Sequence, residues 1–148
     1  MSRIRRVLHP TDFSRASAGA FARAVETARS NRAELLLLHV IMPTYLPIGD
    51  GYISPKVYAD MEASARAYAQ KHLAALVAKA KKAGVRAKGL LMEGPPHERI
   101  AQAARRKRAD LVVIGTHGRT GLAKLFLGSV ASRVLAIAPC PVLTVRHP

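Results

Sequence analysis

The run Leu35-Leu36-Leu37-Leu38-His39-Val40-Ile41 constrains this chain most. A strand with one wet face alternates apolar and polar residues, whereas an unbroken apolar run fits a strand covered on both faces, as in a parallel sheet. A shorter run of the same kind, Leu111-Val112-Val113-Ile114, lies far downstream. Between and around these runs the pattern switches to three- and four-residue spacing.

The spacing predicts strands over 3–9, 35–41, 85–93, 111–114 and 142–146, and helices over 14–31, 55–83, 97–107 and 128–138. In the first helix the repeating apolar set is Ala20/Phe21, Ala24/Val25 and Ala28, with Ser14 or Asp12 as cap. The second is alanine-rich, with Met61, Tyr68, Leu73 and Leu76 as expected anchors, lysines in its last turns and Gly84 as its stop. Strands alternating with helices through long crossovers give an α/β fold, a parallel sheet with helices on both faces. With 148 residues and neither repeat nor linker, residues 1–148 read as one domain.

Several classes are excluded. The longest uncharged run, residues 35–49, contains Pro43 and Pro47 and is too short for a membrane span. The single cysteine, Cys140, precludes an intrachain disulfide; it lies between two prolines and is expected to be buried. With no signal-peptide pattern at the start, a cytoplasmic location is expected. The six histidines are too scattered for a metal motif, and no paired carboxylates or Ser/His/Asp grouping emerges.

Charge is the anomaly. Lys and Arg number 24 against nine acids, a net charge of +15. Such a field attracts anions in general, nucleic acid among them. The clusters Arg3/Arg5/Arg6 and Arg105-Arg106-Lys107-Arg108 read first as a solvated basic face, because aromatics are only 5% and no DNA-reading motif is present.

In an open parallel sheet, ligands bind beyond the carboxyl ends of the strands. Two such exits stand out. One is Pro10-Thr11-Asp12-Phe13-Ser14. The other is Gly115-Thr116-His117-Gly118-Arg119, followed at a distance by Gly128-Ser129-Val130. Glycines let the backbone approach a ligand, and the free N–H groups of a helix first turn attract phosphate. Ser129 adds a hydroxyl donor, and Arg119 and Lys124 add charge. Asp12 suits a sugar hydroxyl or base amino group, and Val40 suits the flat face of a base. The loop 45–52 is apolar and could cover a nucleotide. Neither a Walker loop nor the dinucleotide glycine fingerprint is present.

Gly115-x-x-Gly118, nine residues, then Gly128-Ser129 resembles the nucleotide signature of the universal stress protein family. Residues 7–14, 110–119 and 138–143 resemble that family's opening strand and turn, fourth strand and closing strand, and the likeness runs over essentially the whole chain. It implies an open, Rossmann-like five-stranded parallel sheet in the order 3-2-1-4-5, an ATP-binding member, and a homodimer through the last strand, Val142 to Arg146. Carried onto this chain, Pro10, Thr11, Asp12 and Val40 surround adenosine, and Gly115, Thr116, His117, Gly118, Arg119, Gly128, Ser129 and Val130 surround the phosphates. The expected function is a nucleotide-dependent stress sensor or regulator with at most slow ATP hydrolysis. Whether Mg²⁺ accompanies the phosphates stays open. The alternative is a basic module for nucleic acid or acidic protein with a vestigial crevice.

Overall fold

The computed structural model describes residues 3–43, 54–117 and 127–147. The order is β1 (Arg6–Pro10), α1 (Arg15–Asn31), β2 (Glu34–Ile41), α2 (Pro55–Lys82), β3 (Ala87–Glu93), α3 (Pro96–Arg106), β4 (Leu111–Gly115), α4 (Ser129–Ile137) and β5 (Val142–Val145). All pairings are parallel and the strand order is β3-β2-β1-β4-β5. The expected sheet order is therefore observed. β1 starts three residues later than expected and runs on through Pro10. The reason lies at its start, where the Arg5 and Arg6 N–H groups both donate to the Asp110 carboxylate.

Alternation along the strands explains the two layers. Val7, Leu35, Leu37 and Val113 point to one face and pack with Ala20, Phe21, Ala24 and Ala28 of α1 and Leu73 and Ala80 of α2. Their neighbours Leu8, Leu36, Leu38, Val112 and Ile114 point the other way, onto Ile100, Ala103 and Ala104 of α3 and Ala131 and Val134 of α4. β2 is apolar throughout because both its faces are covered, as the leucine run requires.

Ser14 caps α1, its hydroxyl accepting from the Ser17 N–H, while Asp12 accepts from the Ser14 N–H one turn earlier. α2 corrects one expectation. Met61 is 43% exposed and Tyr68 50%, so neither anchors the helix to the sheet; Ala69, Leu73 and Ala80 do. At 28 residues the helix is about 42 Å long, longer than the eight- and seven-residue strands β2 and β3 on which it packs. Cys140 is half-buried, not buried.

Candidate functional site

The order β3-β2-β1-β4-β5 reverses its winding between β1 and β4, and a crevice opens at such a reversal. The ladder between β1 and β4 registers only Val7 with Leu111 and Leu8 with Val112. One residue further on, the His9 ring takes the place of a strand partner: its Nδ1 donates to the Val113 carbonyl at 2.8 Å. His9 is fully buried, and its Nε2 has no partner among the described residues. Burial lowers its pKa to about 4, against the opposing pull of the Val113 carbonyl and the Asp12 charge. His9 is therefore neutral, buried on the α1 side of the sheet with its ring centroid 6.0 Å from that of Phe21.

The first exit is held from within. The Thr11 N–H donates to the Leu38 carbonyl, and the Thr11 carbonyl accepts from His39 Nδ1 at 2.8 Å. The buried Thr11 hydroxyl meets Ser17 Oγ and accepts from the Phe13 N–H. These bonds hold Phe13 at φ +64°, a conformation that L residues other than Asn and Asp seldom adopt. Its ring stacks on His39 at 4.3 Å and meets His72 and Tyr68 of α2. This ring cluster escaped sequence reasoning. The four-residue spacing of Tyr68 and His72 was a readable sign of a shared helix face; the backbone twist at Phe13 had none.

The second exit meets the start of α4. The Gly128 N–H donates to the Thr116 carbonyl at 2.6 Å, and a Cβ at Gly128 would lie 2.8 Å from that oxygen and 3.5 Å from His117 Cα. Only a residue without a side chain fits there. Thr116 is buried, its N–H tied to the Val145 carbonyl and its hydroxyl 2.9 Å from His117 Nδ1.

The helix starts differ in what they offer. Ser14 caps α1 and Ser54 caps α2. α3 begins Pro95-Pro96 and carries Glu98 in its first turn. α4 has Gly128 as N-cap, no capping side chain and no acid in its first turn. Among the described residues it is thus the one of these four helix starts whose main-chain donors meet neither an acid nor a capping side chain.

The expected residues fall as follows. Pro10 ends β1, opposite Leu38, and Val40 lies two residues further along β2. Both share the α3/α4 side by strand parity, and Val40 and Val130 pack against the same core cluster. Asp12 follows on the turn, partly buried. Thr116 and His117 meet Gly128, next to Ser129 and Val130, while Gly115 faces the Ala16 carbonyl of α1, 3.3 Å from where a Cβ would stand. Gly118, Arg119 and Lys124, and the loop 45–52, lie outside the described residues. Burial and the Asp110 charge raise the pKa of the Cys140 thiol, which disfavours the thiolate a nucleophile needs.

Comparison with known proteins now decides the family. A model of the universal stress protein family matches residues 3–146. The chain belongs to this family. It is 34% identical over 151 residues to a universal stress protein of Methanocaldococcus jannaschii, covering 97% of this chain and 83% of that one. Among solved structures, the universal stress protein UspA of Lactobacillus plantarum superimposes with a TM-score of 0.84 at 26% identity, covering 99% of this chain and 100% of that one. A universal stress protein in complex with cAMP gives 0.72 at 26% identity, covering 99% and 100%. Among the described residues no helix is long and apolar enough to cross a membrane.

Proposed function

We propose that this universal stress protein binds ATP in the crevice between the β1 and β4 exits and works as a nucleotide-dependent regulator in the cytoplasm. The observation that carries the reading is the 2.6 Å contact from the Gly128 N–H to the Thr116 carbonyl, which brings the uncapped start of α4 against the β4 exit. The main chain at Gly115–His117 and the first turn of α4 would then face one phosphate chain from two sides, with the Ser129 hydroxyl as a further donor. Gly118 and Arg119 belong to the same proposed set by sequence.

Pro10, Thr11 and Asp12 would border the nucleoside, Asp12 accepting from a ribose hydroxyl and Val40 packing on the base. The relative in complex with cAMP supports an adenine nucleotide as the ligand class. The buried, neutral His9 is walled off from solvent, so it is badly placed to activate water; hydrolysis should be slow.

A homodimer through β5 is part of the proposal. β5 is a sheet edge, and Leu143 on it and Leu135 and Ile137 on α4 are 38%, 46% and 43% exposed. Nucleotide at the start of α4 would bias that helix and so the surface offered beside β5.

The test is mass spectrometry of small molecules released by denaturing the purified protein. An adenine nucleotide near one per chain is expected, and Gly128→Val should release none. Its absence from the wild-type protein, together with no heat on titration with ATP, would refute the proposal.

A further inference from the structure

In a parallel sheet every strand begins, and every crossover helix ends, at the end opposite the crevice. This end of the molecule is basic. α1 closes with Arg29 in its last turn and Arg32 just after it, and α2 closes with Lys79, Lys81 and Lys82. α3 ends at Arg105 and Arg106 and runs into Lys107 and Arg108. Arg3, Arg5 and Arg6 lead into β1, and Arg86 and Lys88 flank the start of β3. All of these side chains belong to exposed residues. They make up fourteen of the chain's 24 Lys and Arg residues, drawn from separate stretches of sequence.

Few acids answer them. Glu34 pairs with Lys88 at 3.4 Å, and the Asp110 carboxylate accepts from the Arg5 and Arg6 N–H groups. Glu26, in the half of α1 nearer this end, is 3.6 Å from Arg23, while Asp12, Asp60, Glu62, Glu93 and Glu98 lie in the crevice half. Basic residues at helix ends also answer the helix dipole, at about half a charge per helix. Three helix ends amount to about −1.5, far less than the positive charge assembled here.

The composition of this end selects a partner. Nine of the fourteen are arginines, whose planar forks suit phosphate oxygens. Of the exposed large hydrophobics among the described residues, Met42, Val57 and Met61 lie toward the crevice, while Leu135 and Ile137 at the close of α4 and Leu143 at the start of β5 lie at this end on the β5 side, which the proposed homodimer covers. No exposed aromatic ring lies at this end among the described residues, so it offers no platform for stacking unpaired bases. From β3 across β2 and β1 to β4 it is roughly 14 Å wide, at about 4.8 Å per strand spacing. Duplex DNA carries one negative charge per about 1.7 Å of axis, so on the order of six to eight phosphates fall within that width.

We propose that this end is a sequence-independent docking surface for duplex nucleic acid, held through its phosphates and separate from the crevice at the opposite end.

The experiment is fluorescence anisotropy of the full chain with a labelled 30-base-pair DNA duplex, its single strand, and vesicles with anionic lipid. If about six phosphates are engaged, duplex affinity should fall about 10³-fold between 50 and 200 mM salt. Arg86→Gln, Arg105→Gln, Arg106→Gln and Arg108→Gln together should weaken duplex binding at 50 mM salt more than tenfold and flatten the salt slope by at least 1. A control with Arg23, Lys56, Lys71 and Arg133 each changed to Gln loses the same net charge elsewhere and should keep the wild-type duplex affinity within about threefold. Circular dichroism and ATP titration report whether each variant is folded. No duplex binding at 50 mM salt, equal losses in the two variants, or tighter binding to vesicles or single strand would each overturn the proposal.

Discussion

Replacing His9 by Gln should remove a defined share of the acid sensitivity of this fold. His9 is fully buried with a pKa near 4, against 6.5 for a free imidazole. Its folded pKa is depressed, so between those values the unfolded chain binds the proton that the folded chain refuses. Stability contributed by neutral His9 is thus fully present above about pH 6.5 and is lost as pH falls toward 4. Lowering the pKa from 6.5 to about 4 is worth about 3 kcal/mol. Carboxylates also titrate in this range, and the difference between wild type and His9→Gln cancels them.

Urea unfolding followed by circular dichroism at pH 7, 6, 5 and 4 reads that difference. At pH 7 the variant should be about 1–2 kcal/mol less stable, because the Val113 carbonyl loses its imidazole donor. By pH 4 the gap should close or reverse, with a relative midpoint shift of about 1.5 M urea for an m-value near 2 kcal/mol/M. A stability difference that stays constant from pH 7 to 4 would refute the assignment of a buried, neutral His9.

Further outcomes follow from other contacts. Gly128→Ala should weaken ATP binding at least tenfold by calorimetry, because its Cβ would press on the Thr116 carbonyl and push α4 from the β4 exit. Phe13→Ala removes the ring shared by His39, Tyr68 and His72 and should cost about 2 kcal/mol, lowering Tm by about 4–8 °C in a scan. Leu143→Lys should convert the dimer to a monomer in sedimentation at micromolar concentration, and a wild-type monomer there would dismiss the β5 interface. ATP turnover should stay below about 1 per second, the low end of ordinary enzyme rates.

The fold was largely legible because its strongest signal is compositional. Four consecutive leucines in β2 admit few environments, and alternating parity then assigns both core faces. Boundaries were less legible where side chains elsewhere decide them. Asp110 takes the N–H groups of Arg5 and Arg6, more than 100 residues away in sequence, and delays β1. The anchors of α2 were misread at Met61 and Tyr68 because the helix outruns the strands beneath it, a length mismatch that periodicity does not encode. At the candidate site, the glycines at the β4 exit announced close backbone approach. The φ of Phe13 and the ring cluster it builds did not, since one residue's conformation depends on the Thr11 and His39 bonds around it. The basic clusters Arg3/Arg5/Arg6 and Arg105–Arg108 were legible and read as a solvated face, but their gathering with Arg29, Arg32, Arg86 and the lysines of α2 at one end was not, because only the parallel topology brings those stretches together.

Amide chemical shifts report directly on the main-chain groups proposed to hold the phosphates. In a ¹⁵N titration with ATP, the largest changes should fall on Gly115, Thr116, His117, Gly128, Ser129 and Val130, saturating together. Changes centred instead on the basic end, around Arg86 and Arg105–Arg108, with α4 unmoved, would contradict that proposal.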